Sequence, residues 1–305
     1  MADEGDVPEA TAKGAGAPVF RAMPGSLYVV ATPLGNARDL TLRALDVLRS
    51  ADVVAAEDTR VSAPLLARHG ISAHLLSLHA HNEAKRSDAI VSSLAAGKSV
   101  ALVSDAGTPA ISDPGARLVR AVRDAGYPVV PIPGPSAVTA ALCAAGLDAE
   151  RFVFLGFLPA QVKARRVLLA SVAALPMALV VYEAPHRVRA TVAELALALP
   201  GGRTLVVARE LTKMFETIAR VPLADGAAWL DAEPNRQRGE FVLIVDAPTE
   251  VAEAPEALSA DVERWLAALV DELPPARAAR VAAAASGVAR ATLYARALTL
   301  KPEAE

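Results

Sequence analysis

Four short segments of the sequence combine glycine, proline and acidic residues in a way that suits a cationic, nucleoside-like ligand. They are Pro33-Leu34-Gly35-Asn36, Glu57-Asp58, Asp105-Ala106-Gly107-Thr108-Pro109 and Pro133-Gly134-Pro135-Ser136. Glycine allows a ligand to approach the main chain closely. The charges in these segments are mainly carboxylates, which would repel a nucleoside triphosphate but attract a sulfonium or an ammonium group. A ligand with such a cation and a ribose diol therefore fits the four segments.

The common nucleotide-binding and hydrolase motifs do not account for these segments. Gly97-Lys98-Ser99 resembles the end of a P-loop, but Ser92 stands where the first glycine belongs, and the motif precedes a strand-like run. The dinucleotide fingerprint with three glycines is absent, because residues 32–36 contain only Gly35. No Gly-x-Ser-x-Gly nucleophile motif occurs.

The histidine and cysteine residues are weaker candidates for chemistry. His74, His79 and His81 are close enough in sequence to hold a metal ion, but no cysteine is near them, and we predict polar strand ends without a metal. Cys143 lies in an alanine-rich segment without a basic neighbour, so we predict a small buried residue and not a nucleophile. A single cysteine excludes an internal disulfide and suits a reducing cytoplasm.

Composition limits the class of protein. The 305 residues are enough for two or three domains. With 53% hydrophobic but only 4% aromatic residues, the cores must be aliphatic. No apolar run approaches the roughly 18 residues that a membrane-spanning helix needs, so we expect no membrane association and a cytoplasmic location. Because the net charge is −3, any contact with nucleic acid requires a local basic patch.

Each candidate segment follows a strand-like run. From Ser26 onward, β-branched runs alternate with amphipathic helical stretches, which is typical of parallel βαβ units. Ligands bind at the carboxyl ends of parallel strands, so we expect the four segments to meet at one edge of a sheet. The predicted strands are Leu27–Thr32, Asp52–Ala56, Leu75–Leu78, Ser99–Val103 and Val129–Ile132.

Further strand-like runs predict a second α/β domain with a mixed sheet. The runs are Phe152–Leu155, Ala178–Tyr182, Thr204–Ala208 and Phe241–Val245, with residues 238–241 as a hairpin return. The domains that we predict are a disordered extension (1–24), a parallel α/β domain (25–144), the mixed-sheet domain (145–247), a linker (248–260) and a helical module (261–301).

The C-terminal module has a helix-turn-helix pattern. Helical stretches at 276–285 and 289–300 flank a turn at Ser286-Gly287-Val288. Between Leu273 and Lys301 there is no acidic residue, and the basic ones are Arg277, Arg280, Arg290, Arg296 and Lys301. A basic helical module suits RNA docking. The alternative is a pair of helices that only packs against the rest of the protein or supports a dimer.

Several longer motifs together resemble the tetrapyrrole-methylase family, and specifically its rRNA-methylating branch. Within the matching runs 104–115 and 133–137, residues 105–109 and 133–136 indicate the wider family. The rRNA branch is indicated by Glu57-Asp58-Thr59-Arg60 and by Arg209-Glu210-Leu211-Thr212-Lys213 with Glu216. The other matching motifs are Ala31-Thr32-Pro33-Leu34-Gly35-Asn36, His81-Asn82-Glu83 and Gly156-Phe157-Leu158-Pro159. The resemblance covers residues 26–245, and the C-terminal segment matches the same branch.

The resemblance implies two α/β domains with S-adenosyl-L-methionine bound in the cleft between them, and usually a homodimer. The implied activity is 2′-O-methylation of a cytidine ribose in 16S rRNA of the small ribosomal subunit. A methyltransferase of the same fold that acts on a small molecule or tetrapyrrole precursor, and a non-enzymatic helix-turn-helix regulator, are the alternatives. The methylated nucleotide, and whether naked rRNA or an assembled subunit is the substrate, stay open.

Carried over position by position, the resemblance implies the cofactor-binding residues, whereas the chemistry of the side chains indicates the candidates for proton removal and RNA binding. The cofactor-binding candidates are Pro33, Leu34, Gly35, Asp105, Gly107, Thr108, Pro133, Gly134, Pro135, Ser136, Ala137, Tyr182 and Glu183. The candidates for removing the proton of the acceptor hydroxyl are Lys213, Glu210 and Glu83. Because a desolvated lysine can act as a base, Lys213 is the first of these, although a contact of Lys213 with phosphate is as plausible. The RNA-binding candidates are Arg60, Arg187, Arg209, Arg277, Arg280 and Arg290.

Overall fold

The first five strands form one parallel sheet, as the alternating pattern predicts. They are β1 (Leu27–Val30), β2 (Val53–Ala56), β3 (Leu75–Ser77), β4 (Val100–Val103) and β5 (Val129–Ile132), and their order in the sheet is β3-β2-β4-β1-β5. The short aliphatic runs of β2 and β4 are buried along their whole length, which a parallel sheet covered on both faces requires. The computed structural model of the chain describes residues 20–199, 201–248 and 258–300.

Helices follow each of these strands. They are α1 (Leu42–Ser50), α2 (Thr59–Arg68), α3 (Glu83–Ala95), α4 (Ala116–Asp124) and α5 (Ala137–Ala144). One face of the sheet packs against Leu48 of α1 and the other against Ile90 of α3 and Leu118 of α4. The carboxyl ends of β1 and β4 are joined beyond the strands, because Thr32 and Gly107 form an antiparallel bridge with two main-chain hydrogen bonds.

The second sheet is mixed. Its strands are β6 (Phe152–Phe157), β7 (Ala178–Glu183), β8 (Thr204–Arg209), β9 (Thr217–Pro222) and β10 (Phe241–Val245), in the order β6-β7-β10-β8-β9. Only the β6–β7 pair is parallel. Helices α6 (Val162–Val172), α7 (Val188–Ala198) and α8 (Gly226–Asp231) accompany it. The prediction of a mixed-sheet second domain is confirmed.

This sheet differs from the prediction in two places. The edge strand β9 was not predicted, because its residues alternate between half-buried and exposed and are largely polar. Residues 238–241 do not make a hairpin return. They lead into β10, whose five apolar residues are all buried, as suits a strand that lies between β7 and β8. The hairpin of this sheet joins β8 to β9.

Helix α5 connects the two sheets. It follows β5 of the first sheet, yet Val138 and Ala141 pack against Val206, Ala208 and Val242 of the second sheet. The two domains therefore share an apolar contact, although the sequence places α5 within the first of them.

The first described residues are ordered against the first sheet. The ring of Phe20 contacts that of Tyr28 edge to face at 5.9 Å, and the main-chain amide of Met23 donates a hydrogen bond to the Tyr28 hydroxyl. The predicted disordered extension is therefore wrong for residues 20–24, and its residues 1–19 lie outside those described.

The chain divides into two compact units, Met1–Ala247 and Pro248–Glu305. The second unit contains α9 (Ala260–Glu272), α10 (Pro275–Ser286) and α11 (Arg290–Leu300). Gly287 ends α10 in the left-handed conformation, at φ 75°, where glycine avoids the steric cost of a side chain. Leu266, Ala282 and Leu293 belong to a core within this unit, and the helix-turn-helix pattern is confirmed. Most of the predicted linker lies outside the described residues. None of the described helices is long and apolar enough to span a membrane.

Candidate active site between the two α/β domains

A cavity of about 400 Å³ lies between the two α/β domains. This volume is within the range of roughly 300–1,000 Å³ that small-molecule sites occupy. The first domain contributes the loops after β1, β4 and β5, which confirms that these loops meet at one edge of the sheet. The lining residues are Leu34, Ala106, Gly107, Thr108, Ile111, Asp113, Ser136, Ala137, Phe157, Tyr182, Glu183, Ala184, Pro185, Ala208, Leu211, Glu240, Phe241 and Val242.

The cavity collects about half of the residues that the sequence assigns to a cofactor. Those that line it are Leu34, Gly107, Thr108, Ser136, Ala137, Tyr182 and Glu183. The others belong to the same loops but do not line the cavity as the structure describes it; they are Pro33, Gly35, Asp105, Pro133, Gly134 and Pro135.

The loop glycines serve close packing between loops. Gly107 has a φ of 78°, and a Cβ there would lie 3.3 Å from Leu34 Cδ2. A Cβ at Gly134 would lie 3.0 Å from that of Ala31. The Thr108 hydroxyl donates a hydrogen bond to the Pro135 carbonyl oxygen at 3.0 Å, which ties the loop after β4 to the loop after β5. The first-domain wall of the cavity is thus built by contacts between its own loops.

Three carboxyl groups lie beside this wall. Burial raises the pKa of Asp113, which lines the cavity, to about 7, and the neighbouring Glu57 charge adds to the effect. Burial also raises the pKa of Glu57 and of Asp105. Partly desolvated carboxylates that repel one another favour a cation nearby. The three carboxyl groups therefore fit a ligand with a sulfonium or an ammonium group.

The loops around the cavity hold the unusual main-chain conformations of the described chain. Ala110, Ser112, Glu210 and Thr212 are its non-glycine residues with positive φ, at 68°, 66°, 53° and 67°. Such conformations cost free energy and persist where surrounding contacts enforce them, which is common at functional sites. Two of the four lie in the loop after β4 and two in the loop after β8.

Lys213 lies in this second strained loop, between two carboxylates. Its Nζ donates hydrogen bonds to Glu210 Oε1 and to Glu240 Oε2, both at 2.9 Å. Burial alone would lower the pKa of Lys213, but the two hydrogen bonds outweigh it and the pKa lies above its usual value. Lys213 and Glu210 are brought together as their spacing predicts, and Lys213 is protonated in this arrangement.

The third candidate for proton removal lies elsewhere. Glu83 is buried, and its Oε1 accepts hydrogen bonds from the main-chain amides of Gly115, Arg117 and Leu118. The carboxylate thereby caps α4, whose N-cap residue is a glycine without a side chain. The structure does not bring Glu83 together with Lys213.

The arginine candidates fall into two groups. Arg187 and Arg209 are engaged within the second domain: Arg187 donates to the Leu158 carbonyl oxygen, and Arg209 to those of Phe215 and Arg238. The side chain of Arg60 is 88% exposed and pairs with Asp58. In the second unit, Arg277, Arg280 and Arg290 are exposed and form no ion pair with any described residue.

Tyr182 and Glu183 end β7 and face the cavity with different partners. The Tyr182 ring packs edge to face against Phe154 and Phe157, at 4.8 and 5.7 Å. Both Glu183 oxygens are occupied, because Oε2 accepts from the Thr191 hydroxyl and Oε1 from the amide of Ala184. Glu183 therefore shapes the wall as a fully bonded group.

Sequence reasoning missed two charged residues of the site. Asp113 is the second acid of the long loop after β4, and its place depends on how that loop folds back. Glu240 directly precedes β10, and the antiparallel pairing of Phe241 with Arg209 brings it to the loop that holds Lys213. For Glu240, the sequence signal that could have indicated a site residue is a charge directly before a buried apolar strand.

The histidines and the cysteine take no part in the cavity. The His79 and His81 rings lie 6.0 Å apart, and His79 Nε2 contacts the Asn82 amide. Within the described residues, no three His, Cys, Asp or Glu side chains group as a metal site. Cys143 is exposed, because it lies on the face of α5 opposite Val138 and Ala141. The prediction that it is buried is therefore wrong.

Two family models match the chain. The family described as Tetrapyrrole (Corrin/Porphyrin) Methylases matches residues 26–227, and the one described as RsmI C-terminal HTH domain matches residues 256–301. The chain is 47% identical to ribosomal RNA small subunit methyltransferase I of Escherichia coli O157:H7, over 88% of this chain and 93% of that protein. It is also 47% identical to the Pseudomonas aeruginosa protein of the same name, over 90% and 97%.

Solved structures show the same fold at low sequence identity. Cobalt precorrin-4 methyltransferase is 20% identical, with a TM-score of 0.55 over 72% of this chain and 94% of that one. Uroporphyrin-III C-methyltransferase from Thermus thermophilus, solved in complex with S-adenyl homocysteine, is 20% identical, with a TM-score of 0.52 over 75% and 99%. The match of residues 26–227 and the high identity to relatives over nearly their whole length place the chain in the tetrapyrrole methylases, within the family of ribosomal RNA small subunit methyltransferase I.

Proposed function

We propose that this protein is an S-adenosyl-L-methionine-dependent methyltransferase that methylates the 2′-hydroxyl of a cytidine in 16S rRNA. The observation that carries the proposal is the acid-flanked cavity between two domains of a chain that is 47% identical to relatives named for rRNA methylation. The cavity provides the cofactor site, and the strained loop with Lys213 provides groups for the acceptor.

The residues of the cavity fit the cofactor in shape and charge. Leu34, Gly107, Thr108, Ser136 and Ala137 provide the first-domain wall, and Tyr182 closes it from the second domain. Asp113 supplies negative charge beside a cationic ligand. When bound, the cofactor supplies a methyl group that the positive sulfur activates for transfer.

The acceptor hydroxyl must lose its proton as its oxygen bonds to the methyl carbon and the bond from that carbon to sulfur breaks. A ribose hydroxyl is a very weak acid, so a positioned base and exact placement of the reacting groups are the main contributions of the protein. We assign this role to the group of Lys213 and Glu210. Lys213 Nζ accepts this proton after the amine has released its own proton to solvent, and Glu210 fixes the position of the amine.

The C-terminal unit is proposed to dock on RNA. Its exposed Arg277, Arg280 and Arg290 can neutralise phosphates, which dominates affinity for nucleic acid. Arg60 on α2 and the second-domain arginines Arg187 and Arg209 are proposed phosphate contacts as well. We further propose a homodimer that acts in the cytoplasm, for which sedimentation of the purified protein and fractionation of cells are the tests.

A gene deletion tests the proposed activity. We expect one 2′-O-methyl mark on a cytidine to disappear from 16S rRNA, as measured by mass spectrometry of nuclease fragments, and to return when the wild-type gene is restored. The purified protein should restore the mark on RNA or subunits from the deletion strain when S-adenosyl-L-methionine is added. Unchanged marks in the deletion strain would refute the assignment to rRNA.

Two substitutions distinguish a base from a phosphate contact at Lys213. Arginine keeps a positive charge but does not lose its proton, so Lys213→Arg should abolish single-turnover methylation at saturating RNA if Lys213 is the base. Lys213→Met should then also abolish it, with cofactor and RNA affinity unchanged. A near-normal rate for Lys213→Arg would assign Lys213 to phosphate and leave Glu210 as the candidate base.

A further inference from the structure

We propose that Gly35 and Glu240 are positioning residues for Lys213, so that its amine is placed jointly by the two α/β domains. Gly35 belongs to the first-domain loop after β1 and Glu240 to the segment before β10. The inference rests on the proposed function of Lys213, and it changes the role of Gly35, which the sequence assigns to the cofactor.

The stem of Lys213 lies directly on the main chain of Gly35. A Cβ at Gly35 would lie 2.3 Å from Lys213 Cγ, 3.0 Å from Cε and 3.2 Å from Cδ. Gly35 is not one of the described glycines with a positive φ, so its main-chain conformation does not require glycine. The missing side chain is therefore needed for space, and that space is filled by the lysine.

A second contact holds the same two loops together. The main-chain amide of Asn36 donates a hydrogen bond to Thr212 Oγ1 at 3.1 Å. Thr212 has a φ of 67°, and its own amide donates to the Glu216 carboxylate. The residue before Lys213 is thus fixed from both domains.

The two carboxylates that hold Lys213 Nζ differ in exposure and in their other contacts. Glu210 fits against Gly239, where a Cβ would lie 2.4 Å from Glu210 Cγ, and its Oε1 also accepts from the amide of Glu240. The side chain of Glu210 is 19% exposed, whereas that of Glu240 is 73% exposed and lines the cavity. Glu210 is a fixed partner, and Glu240 is the partner that an incoming substrate can displace.

The charges that act on Lys213 come from one side. They are Glu210, with Arg209 beside it, and Glu240, whereas the facing segment Pro33-Leu34-Gly35-Asn36 carries no charge. Each carboxylate raises the pKa of Lys213. Removal of Glu240 should therefore lower this pKa and increase the fraction of neutral amine at a given pH.

The first test is Gly35→Ala, with Gly201→Ala as the matched control because a Cβ at Gly201 meets nothing within 4 Å. We expect unchanged affinity for S-adenosyl-L-methionine in calorimetry, and a fall of about 100-fold in single-turnover methylation, the order of loss that a displacement of about 1 Å causes. The control should keep both. An equal loss of cofactor affinity would overturn the inference and make Gly35 a cofactor contact, and an unchanged rate would show that Lys213 is not placed by Gly35.

The second test is Glu240→Gln, read out by the pH dependence of the single-turnover rate. Because a cause of the raised pKa is removed, the rise of the rate with pH should move to lower pH, and Glu240→Asp should move it back toward the wild type. A purely structural role would reduce the rate without moving the profile. An unmoved profile would overturn the role of Glu240.

A third measurement needs neither RNA nor cofactor and so separates this inference from the proposed function. The chain has six lysines, and NMR of reductively ¹³C-methylated protein can follow their titration, with Lys213→Arg to assign the signal. The Lys213 pKa should fall in Glu240→Gln and change in Gly35→Ala but not in Gly201→Ala. If these shifts occur but no RNA is methylated, only the proposed function fails, whereas absent shifts refute the positioning roles.

Discussion

At the scale of residues, Asp113 makes the cavity sensitive to pH near neutrality. Its pKa of about 7 means that a large fraction of the carboxyl is protonated at neutral pH. A bound cation favours the ionised form, so cofactor binding should release protons. Negative charge in the cavity therefore increases as the pH rises through 7, and affinity for a cationic ligand should increase with it.

The resulting prediction concerns the cofactor and its product. Affinity for S-adenosyl-L-methionine should rise from about pH 6 to about pH 8, whereas S-adenosylhomocysteine, which lacks the sulfonium charge, should show a weaker dependence. Isothermal titration calorimetry in buffers of different ionisation enthalpy measures both the affinity and the released protons.

Asp113→Asn should flatten this dependence, and Asp88→Asn, on the exposed face of α3, should keep it. An unchanged slope in Asp113→Asn would assign the titration to Glu57 or Asp105, which flank the same wall.

Residues were predictable from the sequence where neighbours in the chain are also neighbours in space. Lys213 and Glu210 are three positions apart in one loop, and their ion pair follows from that spacing. Glu240 is 27 positions from Lys213, and only the register of β10 beside β8 brings it there. The contact between Gly35 and Lys213 joins two residues that are 178 positions apart and lie in different domains, so no local pattern indicates it.

At the scale of elements, the start of α4 depends on a side chain from α3. Glu83 accepts three main-chain amides there, in place of the side-chain cap that Gly115 lacks. A carboxylate at a helix N-terminus also interacts favourably with the helix dipole. Glu83→Ala leaves buried amides without an acceptor and should lower the free energy of unfolding by about 2 kcal/mol.

Urea denaturation of Glu83→Ala and Glu83→Gln checks this prediction. Glutamine retains an acceptor oxygen, so Glu83→Gln should keep most of the stability and, if Glu83 has no part in proton removal, the methylation rate. A stable Glu83→Gln variant that no longer methylates RNA would return Glu83 to the candidate bases.

Elements were predictable to the extent that their burial follows their own sequence. The buried aliphatic runs of β2, β4 and β10 were recognised, whereas β9 was not, because an edge strand with one exposed face has a weak apolar signal. Cys143 was misplaced for a related reason. Most of α5 is apolar or small, so its sequence does not tell which face packs on the second sheet.

At the scale of the whole molecule, the basic C-terminal unit should contribute affinity without contributing to the chemistry. Replacing Arg277, Arg280 and Arg290 together by glutamine should weaken binding to small ribosomal subunits and reduce the slope of log affinity against log salt by roughly one for each lost phosphate contact. Cofactor affinity should not change, because the cavity lies within the first unit.

Arg264→Gln is the control for this triple variant, because Arg264 already pairs with Asp261. Filter binding over a range of salt concentrations measures the slopes. Equal slopes for the triple variant and the wild type would show that this unit supports packing or dimerisation and not RNA docking.

The position of β10 has a consequence for the synthesis of the chain. β10 is the last strand of its sheet to be made, yet it lies at the centre, between β7 and β8. Until Phe241–Val245 has emerged from the ribosome, β7 and β8 each have an open edge, and apolar open edges are prone to associate with other chains. A nascent chain that stalls before Phe241 therefore has its first sheet complete but its second sheet divided. Premature termination there should yield aggregates and not a shortened, folded domain.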